Sequence, residues 1–415
     1  MWDDAIEPRY LLAINIRHAI LPDGRTAVDQ LWLKDLQLHR LYLKDLELAS
    51  PLRAGEVVTG EYPIEDEPGY GQLTHAAMPD SRNEPISILH APRTLWKMWQ
   101  AVGRASIVHA GVGGWPYPLG WPAALFARLR GKFLVVVVES APWRLGFEPQ
   151  AKWVNRVRGH VYERMARWSV NAADVSFFTQ AEYKASLLRN GREGHVVHAS
   201  WIDEDVILGD DQAQAVWDQK RQEPVRFLFA GRITAVKGSH VLIEAIRQLS
   251  AAGTAVRIDV MGSDDGDAMA AFRALISTLT GPTEVQIRPP VPYDERFFAA
   301  LREYHALLVP SLADEQPRII YDAFSQAVPV IASDTAGIRD CVQPDVTGVL
   351  VPPGEVASLI QAMTAMLQAP DQLARMGRAG LAVARRMTHA EMHRIRHAIL
   401  RRKMAERGAG TVSES

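Results

Sequence analysis

The stretch RFLFAGRITAVKGSHVLIEAIRQLSAAGTAVRIDVM, residues 226–261, decides the fold. It opens with the apolar run RFLFA and closes with a second run, VRIDVM at 256–261. Between them Val241, Leu242, Ala245, Ile246 and Leu249 recur at i, i+1, i+4, i+5 and i+8, the single stripe of a helix laid on a sheet. Strand, helix and strand in that order read as a βαβ unit. The alternation continues through ALLVP (306–310), a helix expected near 317–327, VPVIAS (328–333), GVLV (348–351) and a helix around 355–368. Strands and helices alternating at this length predict a parallel sheet covered on both faces.

Outward from there, the first half repeats the pattern with less contrast. Residues 10–16 are expected as a first strand, 27–48 as a long amphipathic stretch, 106–110 as a later strand, and FLVVVV at 133–138 as the most deeply buried strand. Residues 202–224 are polar, acidic and poor in periodic apolar positions, the composition of a linker. The reading is therefore α/β, with a Rossmann-like domain at 1–204, a linker at 205–224, a second Rossmann-like domain at 225–385 and a C-terminal helix at 386–408. Two such domains would face a ligand with the carboxyl ends of their strands, across one cleft.

Composition narrows the chemistry. Lys plus Arg number 46 against 48 for Asp plus Glu, and this net charge of −2 lacks the positive field that a polymeric phosphate backbone requires. Nucleic acid is excluded as an expected partner. Cys341 is the only cysteine, which excludes an internal disulfide and a cysteine-based zinc site. The opening MWDDAIEPRY is acidic where a secretory signal would be basic, and no apolar run reaches the roughly 18 residues of a membrane span. A cytoplasmic protein is expected, peripheral at most to the inner face of a membrane.

Two segments carry chemistry. In GRITAVKG (231–238), Gly231 ends a strand, Arg232 stands beside it and Lys237 precedes a helix. Two cations at a helix amino terminus form an anion site, since the unpaired N–H groups favour phosphate; the alternative is a basic surface loop. Neither GxGxxG nor GxxxxGK[ST] occurs, which removes the main support for a dinucleotide oxidoreductase or a P-loop enzyme. In the second segment, 310–340, Asp314 and Glu315 follow a strand and Pro317 suits the first helical position. The amides of Arg318, Ile319 and Ile320 would then be free to face a ligand. Asp322 falls off the apolar stripe of that helix, and it either meets a hydroxylated ligand or pairs with Arg318 one turn earlier.

GRITAVKG, the acidic–Pro–helix segment, DAFSQAVPVIAS, AGIRD and TGVLVPPGEVASLIQAM resemble, in order and spacing, the retaining GT-B glycosyltransferases of family 4, the glycosyl transferase group 1 type. The resemblance is strong over 226–368 and loose in the first half. It implies that Arg232 and Lys237 hold the pyrophosphate of a donor, and that the family's acidic pair falls on Asp314, for the donor sugar, and Asp322, for the ribose. Both positions, like that of Asp340, usually hold Glu, so each contact here is one methylene shorter; Glu315 would take the sugar contact if the loop is a residue shorter. Glu315, Gln316 and Pro317 stand where the family has Gly, an aromatic and Gly, and Pro317 offers no N–H.

In the first half, SIVHAG (106–111) matches the family's strand with a His-bearing loop, making His109 a candidate; alone it reads equally as a structural histidine. Glu139 ends the FLVVVV strand where the family often has His, so it binds an acceptor hydroxyl or is a solvated strand end. Gly24 in LPDGR (21–25) occupies the acceptor loop, or is a plain D-G turn. The implied catalytic set is Arg232, Lys237, His109 and Asp314; Gly231, Glu315, Arg318, Ile319 and Asp322 join at the donor, and Gly24 and Glu139 at the acceptor. No metal is expected, since the acidic string SDDGD (263–267) reads as a helix cap. No cofactor is expected beyond the co-substrate.

The expected activity is transfer of a hexose from a UDP- or GDP-linked sugar to a glycan, lipid-linked or small-molecule hydroxyl acceptor, in cell-surface polysaccharide or glycoconjugate synthesis. A sugar-nucleotide 2-epimerase of the same fold and a catalytically weak nucleotide-binding protein are the alternatives. The basic helix at 389–408, with Met392, Ile395, Ile399 and Leu400 on one side, either packs back across the domains or rests on a membrane surface.

Overall fold

A computed structural model describes residues 4–53, 61–64, 68–80, 84–114, 116–147, 151–264, 267–313 and 316–413. The chain divides into two compact units, residues 1–197 with 392–415, and residues 198–391.

The first unit runs β1 (Tyr10–Ala13), β2 (Ala19–Ile20), β3 (Thr26–Asp29), α1 (Gln30–Tyr42), β4 (Asp45–Ala49), β5 (Glu61–Pro63), β6 (Gln72–His75), α2 (Glu84–Arg104), β7 (Ile107–Gly111), α3 (Gly120–Leu129), β8 (Phe133–Val138), α4 (Trp153–Ala172), β9 (Val175–Phe178), α5 (Ala181–Leu187) and β10 (His195–Val196). A parallel sheet takes the order β10-β9-β8-β7-β1-β4-β6, and β2, β3 and β5 make a small antiparallel sheet. All six residues of β8 are buried because the sheet is covered on both faces: Leu134, Val136 and Val138 join one apolar cluster, Phe133, Val135 and Val137 the other. The expected amphipathic stretch 27–48 divides into strand, helix and strand. Asp29 sets the first break, its Oδ1 accepting the Leu31 N–H at 3.0 Å as an N-cap, and extended Leu43 sets the second.

The second unit runs α6 (Asp210–Lys220), β11 (Arg226–Ile233), α7 (Ser239–Ala251), β12 (Val256–Asp264), α8 (Asp267–Thr278), β13 (Thr283–Arg288), α9 (Glu295–Leu301), β14 (Ala306–Val309), α10 (Ile319–Ser325), β15 (Val330–Ser333), α11 (Ala336–Arg339), β16 (Gly348–Val351), α12 (Val356–Leu367) and α13 (Pro370–Ala384). Its sheet is parallel in the order β13-β12-β11-β14-β15-β16. Counted from β11, that is the doubly wound order 3-2-1-4-5-6. The stripe read from α7 is buried in full.

The expected linker 205–224 contains α6. Its acidic residues face solvent while Ala213, Trp217 and Lys220 turn inward, and the Trp217 indole N–H donates to the Ala327 carbonyl at 2.9 Å. A last helix, α14 (His389–Ser413), continues from Met392 on as part of the first unit. Its Met392 and Leu400 are buried in the cluster containing Tyr10 and Leu12, so those apolar residues are not available to a membrane. No described helix is long and apolar enough to cross a membrane.

Candidate functional site

In the second unit the sheet reverses its direction of winding between β11 and β14, so the loops after these two strands flank the switch point where doubly wound sheets take ligands. β11 extends through Gly231, Arg232 and Ile233, further than the apolar run suggested, because it pairs with β12 as far as Asp264. Arg232 is exposed at its end and Lys237 half-buried before α7. The turn between them closes with Lys237 N–H to Thr234 O at 3.1 Å and Gly238 N–H to Ala235 O at 2.9 Å. Gly238 has φ +79°, and a Cβ there would overlap the Pro310 carbonyl, so only glycine lets this loop lie against the one after β14. A Leu312 N–H to Val236 O bond of 2.9 Å joins the two loops.

Asp314 and Glu315 lie outside the described residues, as do Asp265 and Gly266 of the expected helix cap. Beyond them α10 starts at Ile319, two residues later than Pro317 suggested. The Ile320 N–H already donates to the Pro317 carbonyl at 3.1 Å, which removes it from the expected trio of free amides. Asp322 is buried, not on a solvent-facing side, and accepts the Tyr293 hydroxyl at 2.7 Å. The Arg318 guanidinium lies 4.7 Å from the centre of the Trp201 ring. Gln316 accepts the Ala199 N–H at 2.8 Å and reaches the Tyr321 hydroxyl at 3.3 Å, so it anchors the segment entering α10. Asp340 caps the carboxyl end of α11, one turn after Thr335 caps its start.

In the first unit the corresponding switch point lies between β1 and β7. A cavity of about 450 Å³ opens there, lined among others by His109, Glu139, Asp35, His39 and Arg396. His109 stands within β7 and not in a loop, and its Nδ1 is 2.9 Å from the Tyr10 hydroxyl on β1. Burial drives its pKa well below the ordinary value, helped by His39 and Arg396, so the imidazole is neutral. Glu139 is exposed at the end of β8. Gly24 is elsewhere: with φ +86° it forms the turn between β2 and β3, its N–H donating to Leu21 O at 2.9 Å. It is not among the residues lining the cavity.

Sequence reading missed the wall of this cavity made by α1 and α14. Asp35, His39 and His393 place ligating atoms within 4.8 Å of one another. Asp35 Oδ1 is 3.1 Å from His393 Nε2, Oδ2 is 3.2 Å from His39 Nδ1, and the Tyr42 hydroxyl is 3.1 Å from His393 Nδ1. The trio could take a divalent cation only by giving up these hydrogen bonds. A second cavity, near Arg226 and Asp259, lies at the starts of the strands of the second unit, the edge opposite the switch-point loops.

The two parallel sheets are those of the GT-B fold: sucrose-phosphate synthase from Thermosynechococcus elongatus superposes with a TM-score of 0.68 at 15% identity, covering 97% of this chain and 100% of that one. HepE from Anabaena, solved in complex with UDP-glucose, superposes with a TM-score of 0.61 at 14% identity over 95% and 99% of the two chains. Residues 224–369, within the second unit, match the family model of glycosyl transferases group 1. A curated relative, D-inositol 3-phosphate glycosyltransferase from Nocardia farcinica, is 32% identical over 160 residues, 37% of this chain and 35% of the relative. The match thus spans about a third of that relative's length.

Proposed function

We propose that the protein is a retaining glycosyltransferase that moves a hexose from a nucleoside-diphosphate sugar to a hydroxyl acceptor in polysaccharide or glycoconjugate synthesis. The observation that carries this reading is the loop 231–238: two cations and the start of the 13-residue helix α7 at the switch point of a glycosyl transferases group 1 domain. HepE binds UDP-glucose on the same fold, which favours a UDP-linked donor here.

In the proposed reaction the anomeric carbon becomes oxocarbenium-like as negative charge builds on the departing diphosphate. Arg232 and Lys237 contribute to rate only as far as they bind that charge more tightly in the transition state than in the bound donor. Tyr293 fixes the carboxylate of Asp322, which in this reading meets the ribose of the donor. With the Tyr10 hydroxyl donating to His109 Nδ1, the ring proton sits on Nε2, a donor for a sugar hydroxyl, and the acceptor's proton passes to a phosphate oxygen of the donor.

Titration calorimetry with UDP, GDP and their glucose conjugates tests the donor site. Arg232→Ala and Lys237→Ala are each expected to weaken nucleotide-diphosphate binding about tenfold or more, the loss of one charge-assisted contact. Unchanged affinity in both would falsify the site. Product NMR that shows inversion at the anomeric carbon, or epimer formed from labelled nucleotide sugar without acceptor, would replace the proposed reaction while leaving the binding site in place.

A further inference from the structure

The C-terminal helix contributes one positive charge to the cavity of the first unit, and it does so without a paired carboxylate among the described residues. Arg396 lines the cavity at 5% exposure, and its buried Nε has no hydrogen-bond partner. Among the described residues no carboxylate forms an ion pair with its guanidinium. Of the two acids in the wall, Asp35 lies between His39 and His393, and Glu139 is exposed at the end of β8. Tyr10 and Tyr42 turn their hydroxyls to histidines, and His109 is neutral. A buried guanidinium is tolerated where a counter-charge and hydrogen-bond acceptors complete it. Its planar fork matches the two oxygens of a carboxylate or phosphate, which neutral sugar hydroxyls do not reproduce.

We propose that this cavity binds a ligand carrying a phosphate monoester or carboxylate, whose anionic oxygens complete Arg396. The ligand is the acceptor, which rests on the transferase reading above; the anion site itself stands without it. The space, about 450 Å³, suits a charged monosaccharide-sized molecule. Gly113 and Gly114 contribute backbone to the lining, and Asn15 pins the adjoining segment by accepting the Leu119 N–H at 2.8 Å and donating to Tyr117 O at 2.9 Å.

The test is calorimetry on the full chain with glucose 6-phosphate, glucuronate and glucose as probes, repeated on Arg396→Gln and Arg396→Lys, with UDP titrated into each protein. The expected result is that at least one anion binds tenfold or more tighter than glucose, that R396Q abolishes the preference, that R396K keeps part of it, and that UDP affinity is unchanged throughout. Glucose 6-phosphate alone showing the preference assigns a phosphate, and glucuronate alone a carboxylate. No anion preference in the parent protein, or one that survives R396Q, overturns the proposal. The parent measurement decides even if R396Q fails to fold. Failure of UDP to bind, with the anion preference intact, strikes only the donor reading.

Discussion

At the residue scale the basic loop was legible and its geometry was not. A glycine after a lysine at a helix start stands out in a string of letters; that Gly238 lies on the Pro310 carbonyl does not, because residues 72 positions apart meet only in the folded sheet. Gly238→Ala is expected to lose about 1–3 kcal/mol of stability, from the left-handed backbone and the overlap together, with nucleotide binding lost as well; urea unfolding and calorimetry check both. Asp322 was misplaced for a related reason. Helical spacing locates a side chain against its own helix, and Tyr293 arrives from a different part of the chain. Lys220 gave no signal at all. Its Nζ donates to the Tyr304 carbonyl at 2.6 Å, and burial lowers its pKa from 10.5 to about 7. Between about 7 and the unfolded value near 10.4 the unfolded chain holds the extra proton, so this group's contribution to stability rises with pH there. The Tm of Lys220→Met relative to the parent is expected to climb as pH is lowered from 9 to 7, and a difference independent of pH would contradict the burial argument.

At the element scale, periodicity located the strands and helices of the second unit because each buries a whole stripe against a sheet covered on both faces. It failed at α6, where composition outweighed spacing: acids and glutamines mask the inward positions Ala213 and Trp217. Trp217→Ala is expected to destabilise the second unit by about 3–5 kcal/mol, measured by denaturant unfolding, as for other buried tryptophans. A loss below about 1 kcal/mol would return the segment to a linker role. The same blindness affected 27–48, where a capping aspartate, not a change in hydrophobicity, separates strand from helix. α14 shows the converse. Its apolar positions were visible, but whether they met a core or a lipid surface depended on the cluster that receives Met392 and Leu400.

At the scale of the whole molecule, each unit carries a buried histidine held neutral. His18, 2.7 Å from Ser50 Oγ, and His305, which accepts the Arg226 N–H at 3.1 Å, are both lowered to about 4, mainly by burial. Each is protonated in the unfolded chain near pH 6.5, so the unfolded state binds more protons between about 6.5 and 4, and stability is lost as pH falls through that window. Both units are expected to lose Tm between pH 7 and 4.5, with the imidazole NMR signals of His18 and His305 still neutral at pH 5.5; a charged imidazole at that pH in the folded state would refute it. By itself the sequence determined that there are two parallel-sheet halves and where a basic, glycine-containing loop interrupts the second, because both are properties of local spacing. Only the tertiary structure decided that the C-terminal helix brings Arg396 to the cavity of His109 and His393 to Asp35, and that Asp322 is buried under Tyr293. Those contacts join residues far apart in the chain, and their energies come from burial and from the loss of water around charge, which a linear pattern does not record.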